Sequence, residues 1–141
     1  MEVHTFGYDR KKYWSVKNRP RIDSRRTLVL LFGSSSFLDS TDPLSELVDD
    51  YREAIVIGCS TAGEILGTQI FDESVSAAIV RFDHTDLRLA SAPVQSADHS
   101  FSAGQEIARQ LNDSGLKGIF VLSDGLHVNG SELVRGLNSK V

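Results

Sequence analysis

The chain has 141 residues, 40% of them hydrophobic and 24% charged, with 11 Gly, 3 Pro and a single Cys. That length encloses one real core but hardly two full domains, and the composition excludes a disordered, collagenous or coiled-coil chain. One Cys excludes an internal disulfide framework and a Cys-rich zinc site, and the longest apolar run, Leu28 to Phe32, is far too short to span a bilayer.

No early apolar stretch resembles a signal sequence, so the chain is expected in the cytoplasm. Charge is unevenly spread. Residues 1–26 hold eight Lys and Arg against Glu2, Asp9 and Asp23, a balance of +5, which leaves −9 for the rest of a chain of net charge −4. This segment is expected to be a basic leader, partly ordered or flexible, with Tyr8, Tyr13 and Trp14 pinning parts of it to an α/β body over residues 27–141. Such an arm suits an acidic partner, a membrane surface or nucleic acid, and the acidic body argues against duplex binding.

The first core strand is predicted at Leu28 to Phe32, a run that stops at Gly33-Ser34-Ser35-Ser36 as a strand buried on both faces would. A helix follows, capped by Asp42, with Pro43 at its first position and Leu44, Leu47, Val48 and Tyr51 on one face. Ala54 to Ile57 is a second buried strand ending at Gly58-Cys59-Ser60-Thr61, which completes a right-handed βαβ unit with a parallel pair. Ile65 to Phe71 reads as loop with a short strand. Val75 to Phe82 and Leu87 to Val94 read as an antiparallel hairpin across Asp83 to Asp86.

A second helix is predicted over Ser100 to Asn112, with Phe101, Gly104, Ala108 and Leu111 on one face and Gly115 as its stop. Ile119 to Leu122 is predicted as a third fully buried strand ending at Ser123-Asp124-Gly125. Asn129-Gly130-Ser131-Glu132 forms a capping box for a last helix carrying Leu133, Val134 and Leu137. The fold class is therefore α/β: a mixed parallel/antiparallel sheet packed with helices, an α/β sandwich. The sequence stops at Val141 with no strand to close another crossover, which points to one half of a larger protein.

In α/β sheets ligands bind outside the C-terminal ends of parallel strands, where loops offer free N–H groups and hydroxyls. Three predicted strands end in small polar residues. If those strands are parallel neighbours, Ser34, Ser35, Cys59, Ser60, Thr61 and the backbone of Gly63 meet on one edge, with Glu64 or Asp124 as an acceptor for a ligand ammonium. The same Gly, Ser and Asp residues also read simply as turn formers.

Other chemistries find less support. The run Gly58 to Ala62 approaches a nucleophile elbow, and Cys59 with His127 can be drawn as thiol and base in a Cys/Ser hydrolase-like enzyme. Gly63 and Gly67, however, interrupt the helix that an elbow requires, and Cys59 beside an apolar strand also reads as a small buried hydrophobe. No Lys stands near these loops to complete a phosphate cradle. His4, His84, His99 and His127 form no metal-ligand pair, although one His suffices as an axial ligand for haem. A non-catalytic interaction scaffold that uses the basic leader is the remaining alternative.

The run Val56-Ile57-Gly58-Cys59-Ser60-Thr61-Ala62-Gly63-Glu64-Ile65, together with Leu122-Ser123-Asp124-Gly125-Leu126 and Asn129-Gly130, resembles the N-terminal part of a FIST domain; Leu28 to Ser34 fits the same pattern. The resemblance covers residues 27–141 and leaves the basic leader outside. It implies an intracellular sensory module rather than an enzyme, binding a small, amino acid-like ligand and joined to a signalling output such as a histidine kinase. Some similar proteins are haem-binding gas sensors. Complete members carry a further C-terminal FIST part, which the resemblance makes a partner of this chain.

Overall fold

The apolar run at Leu28 to Phe32 becomes the second-last strand of a five-stranded sheet. A computed structural model describes residues 1–38 and 42–140, the side chains of residues 38 and 42 excepted. In chain order the elements are β1 (Glu2–Asp9), β2 (Tyr13–Trp14), β3 (Thr27–Ser34), α1 (Asp42–Asp50), β4 (Ile55–Thr61), β5 (Glu64–Leu66), β6 (Gln69–Phe71), β7 (Ser74–Arg81), α2 (Ser100–Leu111) and α3 (Gly130–Asn138). The sheet runs β2-β1-β7-β3-β4, and β5 with β6 forms a separate ribbon. β3 and β4 are parallel, from Leu28 opposite Ile55 to Ser34 opposite Thr61. β7 is antiparallel to both β1 and β3. The fold is thus the mixed α/β class that the sequence implies.

The chain divides into two compact units, Met1–Leu87 and Arg88–Val141. In the first, side chains alternate across the sheet, and Phe6, Val29, Ala77 and Ile79 form one buried cluster with Leu47, Tyr51 and Ile22. Leu47 and Tyr51 are buried as the helical spacing predicts, but Val48 is 40% exposed, so the apolar stripe of α1 is narrower than the spacing suggests. The expected cap at Asp42 falls on a side chain outside those described. Tyr51 Oη donates to the Pro20 carbonyl at 2.7 Å, and burial, with the Asp50 carboxylate nearby, pushes its phenol up to about 12.

The first residues of the chain join this sheet. β1 pairs with β7 from Glu2 opposite Arg81 to Asp9 opposite Ser74, Phe6 is buried, and Trp14 of β2 meets its ring edge-on at 5.5 Å. Leu28, Leu30 and Phe32 on the opposite face of β3 are only half-buried. The strand predicted as buried on both faces is therefore fully buried only at Thr27 and Val29, on one face. Near Gly7 that second face is covered by the β5–β6 ribbon, so closely that a Cβ on Gly7 would stand 2.9 Å from Leu66 Cδ2.

Two predicted strands are absent. Leu87 to Val94 has no regular structure, so there is no hairpin with Val75 to Phe82. The reason is topological: β1 and β3 take both edges of β7, and Arg26 holds the predicted turn by bonding the Asp83 carbonyl and the Asp86 carboxylate. Ile119 to Leu122 likewise forms no strand, and Phe120 is 61% exposed. A short apolar run carries no period of its own and becomes a strand only where a ladder receives it. In the opposite direction, the stretch expected as mostly loop, Ile65 to Phe71, belongs to a regular ribbon in which Ile65 faces Ile70. Its two-residue connection has Gly67 at φ +63, a conformation that suits glycine.

The second unit is built on α2 and α3, with Ala103, Ala108, Leu133 and Leu137 as its buried cluster. α2 ends at Asn112, whose extended backbone (ψ 115) breaks the helix and whose N–H still bonds the Ala108 carbonyl. Gly115 is therefore not the stop. The predicted capping box forms by half: Asn129 Oδ1 accepts from the Glu132 N–H at 3.2 Å, but the Glu132 carboxylate turns to Arg135 at 2.7 Å. The Asn129 N–H donates instead to Ser100 Oγ at 2.9 Å, which ties the start of α3 to the start of α2.

Candidate strand-end site

Two of the three predicted strand ends lie side by side. The parallel register sets Phe32 opposite Cys59, Gly33 opposite Ser60 and Ser34 opposite Thr61. Alternation along β4 puts Cys59 and Thr61 on one face and Ser60 on the other. Cys59 and Ser60 are exposed, Ser34 and Thr61 half-buried, and Ser35 opens a short helical turn after β3 with its side chain in solvent. Ser34 Oγ accepts from the Ser36 N–H at 3.2 Å, which turns the chain away from the strand end. β4 is an outer strand, so a thiol, hydroxyls and unpaired backbone groups stand together on an accessible edge.

Glu64 is the one site residue shut from solvent, at 2% exposure. A buried carboxylate needs donors on its lone pairs, and it has three. Thr61 Oγ1 donates to Oε1 at 2.8 Å; the Ser74 N–H and Ser74 Oγ donate to Oε2 at 3.1 and 2.9 Å. Glu64 thus clamps the end of β4 to the start of β7 and fixes the root of the β5–β6 ribbon between them. Ser76 Oγ adds a bond to the Ile65 carbonyl at 2.9 Å. Ser74 is the partner that sequence reasoning missed: it lies ten positions from Glu64, with no periodic or motif signal joining the two. Gly63, half-buried in the turn before β5, leaves 3.4 Å between an added Cβ and Ile70 Cγ2.

Asp124 belongs to the second unit, in an exposed turn. Its Oδ1 accepts the N–H groups of Leu126 and His127 at 2.6 and 3.2 Å, and its Oδ2 pairs with His127 Nδ1 at 2.8 Å. The His127 bond, followed by those two amides, lowers the Asp124 carboxyl to about 2. Since Ile119 to Leu122 is not a strand, Ser123-Asp124-Gly125 is not a third strand end.

Among the described residues no hydrogen bond links a histidine to a candidate nucleophile. Described histidine bonds run to sequence neighbours, His4 to Glu2, His99 to Ser96 and His127 to Asp124. None joins Cys59 or Ser60, as a nucleophile and its base would be joined. A cleft of about 1230 Å³ in the first unit, lined by Tyr8, Tyr13, Trp14 and Arg19 among others, has no histidine in its lining, so the residues there do not fit a haem held by an axial His. Among the described residues no group of three His, Cys, Asp or Glu could hold a metal ion, and no helix is long and apolar enough to cross a membrane.

No curated protein and no solved structure matches the chain. A family model for the FIST N domain does match, over residues 27–141, and so includes β3, β4 and both of the strand ends described above. That match spans most of the chain, and by it the chain belongs to the FIST N domain family, a family of sensory domains.

Proposed function

We propose that this chain is the ligand-sensing part of a cytoplasmic signal-transduction protein and binds an amino acid-like small molecule at the C-terminal ends of β3 and β4. The observation that carries the reading is the parallel pairing that sets Ser34 beside Thr61, with Cys59 and Ser60 exposed on the outer strand. Ser34, Ser35, Cys59, Ser60 and Thr61 supply polar side chains, and the backbone around Gly63 supplies N–H groups for a carboxylate. Glu64 holds the floor of this site, since its oxygens are engaged by Thr61 and Ser74. Asp124, in the other unit, takes no part in the proposal. Membership of a sensory rather than an enzyme family supports a role without turnover.

A sensor works by binding one of two conformations more tightly. The partners of this reading are a C-terminal FIST part and a signalling output such as a histidine kinase. Thermal unfolding against the amino acids tests it. A ligand at about a hundred times its Kd adds about 2.7 kcal/mol, several degrees in Tm. The expected result is a selective shift that Ser60→Ala reduces. A shift insensitive to Ser60→Ala moves the ligand elsewhere, and no shift with any amino acid overturns the reading.

A further inference from the structure

The first unit has a second concave feature, away from the strand ends, that the sensory reading leaves unused. It is a cleft of about 1230 Å³ lined by Tyr8, Tyr13 and Trp14 together with Pro20, Pro43 and the ion-paired Arg19. The rings form a ladder: Tyr8 meets Tyr13 edge-on at 6.4 Å and Trp14 at 5.2 Å. Tyr13 is 70% exposed and held at φ 60, a left-handed backbone that strains a residue with a side chain. The fold thus spends backbone strain on keeping a tyrosine ring out in the cleft.

Two buried polar atoms of residues in that lining lack partners among the described residues. Trp14 Nε1 and Arg19 Nε are both buried and unbonded, and the Arg19 guanidinium lies over the Trp14 ring at 5.1 Å. Both are donors, so what they lack is an acceptor, and leaving them unpaired costs the free protein stability. The charge of the acceptor also follows. The other Arg19 nitrogens already bond Glu46, at 2.7 Å, and Asp50, so a single cation faces two carboxylates. A third anion entering there meets repulsion, whereas a neutral carbonyl oxygen does not. Across the whole lining, Lys17, Arg19 and Arg21 are matched by Asp23, Glu46 and Asp50. The lining of the cleft is therefore neutral, unlike residues 1–26 as a whole, which disfavours a nucleic acid there.

We propose that this cleft binds an extended, proline-rich peptide segment. Such a segment carries neutral backbone carbonyls with no internal hydrogen bonds and flat apolar rings between them, and it arrives already ordered, so little conformational entropy is lost on docking against aromatic walls. The rings of such a segment pack on Tyr8 and Tyr13, and its uncharged backbone suits a lining whose charges cancel.

The chain contains one tryptophan, Trp14, so its fluorescence reports on this cleft alone. Full-length protein is titrated with a short acetylated and amidated oligoproline, and in parallel with a Gly-Ser peptide of the same length and an oligonucleotide. The expected result is a saturable change in Trp14 emission with oligoproline only, little affected by salt. Tyr13→Ala weakens it about tenfold without changing Tm. No change with oligoproline, or an equal change with the Gly-Ser peptide, overturns the proposal. A response confined to the oligonucleotide and abolished by salt overturns it as well, in favour of a phosphate-bearing partner. Because the strand-end site contains no tryptophan, failure here and failure of the sensory reading are separate events.

Discussion

The two units of this chain bury their interiors in opposite ways. In the sheet unit, large side chains do the work: Phe6, Ile22, Val29, Leu47, Tyr51 and Ile79 come from five segments and fill one volume. In the helix unit the buried cluster is small, two alanines and two leucines, and what joins α2 to α3 is close approach of backbone. An added Cβ on Gly104 would stand 2.2 Å from the Leu133 carbonyl, and one on Gly136 would stand 2.1 Å from the Phe101 carbonyl. One unit is thus vulnerable to losing volume and the other to gaining it.

The largest effect follows from that asymmetry. Leu47 is fully buried among sheet residues, and Leu47→Ala leaves a hole that rigid strands on one side cannot close, so it is expected to cost about 3 to 4 kcal/mol. Hydrogen exchange should register the loss in the β1, β3 and β7 amides. If protection falls equally in α2 and α3, the units do not unfold separately and the comparison fails.

The complementary change adds a single methyl. Gly136→Ala pushes against the Phe101 carbonyl, which is backbone and cannot rotate aside, so the helices must part; about 2 to 3 kcal/mol is expected, read as lost protection in α2 and α3. Gly58→Ala sharpens the point. Its Cβ would stand 2.3 Å from the Leu31 carbonyl, an overlap close to that at Gly136, but β4 is an outer strand and can shift outward. A smaller loss is expected there, and an equal one would mean that the outer edge of β4 is not free to move.

What the sequence made legible follows the same division. β3, α1 and β4 could be read because each carries a strong local signal: an unbroken apolar run, a residue spacing of three and four, and a second run. β1 was obscured by its company. Phe6 and Tyr8 alternate with Gly7 and the outward Thr5 as a strand should, but the charges that follow at Arg10, Lys11 and Lys12 dominate the composition of the segment. Ile119 to Leu122 shows the converse, a strong apolar run without a ladder. In the helix unit the sequence places Gly104 on a helical face but marks neither it nor Gly136 as a point of contact, because close approach depends on the partner helix and leaves no trace in the local pattern. At the candidate site the two parallel strand ends were legible from their small polar residues, whereas the burial of Glu64 was not, since it depends on Ser74 at the start of β7, ten positions on.

Glu64 offers a test of intermediate size within the sheet unit. Glu64→Gln keeps shape and volume but replaces one accepting oxygen with an NH2 donor, so either the Ser74 N–H faces another donor or the Thr61 hydroxyl must turn from donating to accepting. A loss of about 1 to 2 kcal/mol is expected, seen as a lower denaturant midpoint with an unchanged slope. A neutral result would mean that the clamp between β4 and β7 contributes nothing beyond packing.

The smallest effect lies in the exposed turn of the helix unit. Asp124 is held charged first by His127 and then by the N–H groups of Leu126 and His127, which takes its carboxyl from the ordinary 3.8 down to about 2. A folded-state value below the unfolded one means that the turn is stabilised above the ordinary carboxylate range and loses that stabilisation as pH falls toward 2. Both partners are more than half exposed, 60% for His127 and 53% for Asp124, so solvent screens the pair and the effect stays local. Amide shifts of Leu126 and His127 followed by NMR should titrate near 2, while those of β3 and β7 report nothing at that midpoint. His127→Ala removes the first cause but leaves both amides, so the midpoint should climb only part of the way back. A midpoint at 3.8 in the unmodified chain would show that the three bonds do not form together in solution. A full return to 3.8 in the variant would assign the whole shift to the imidazole and none to the turn backbone.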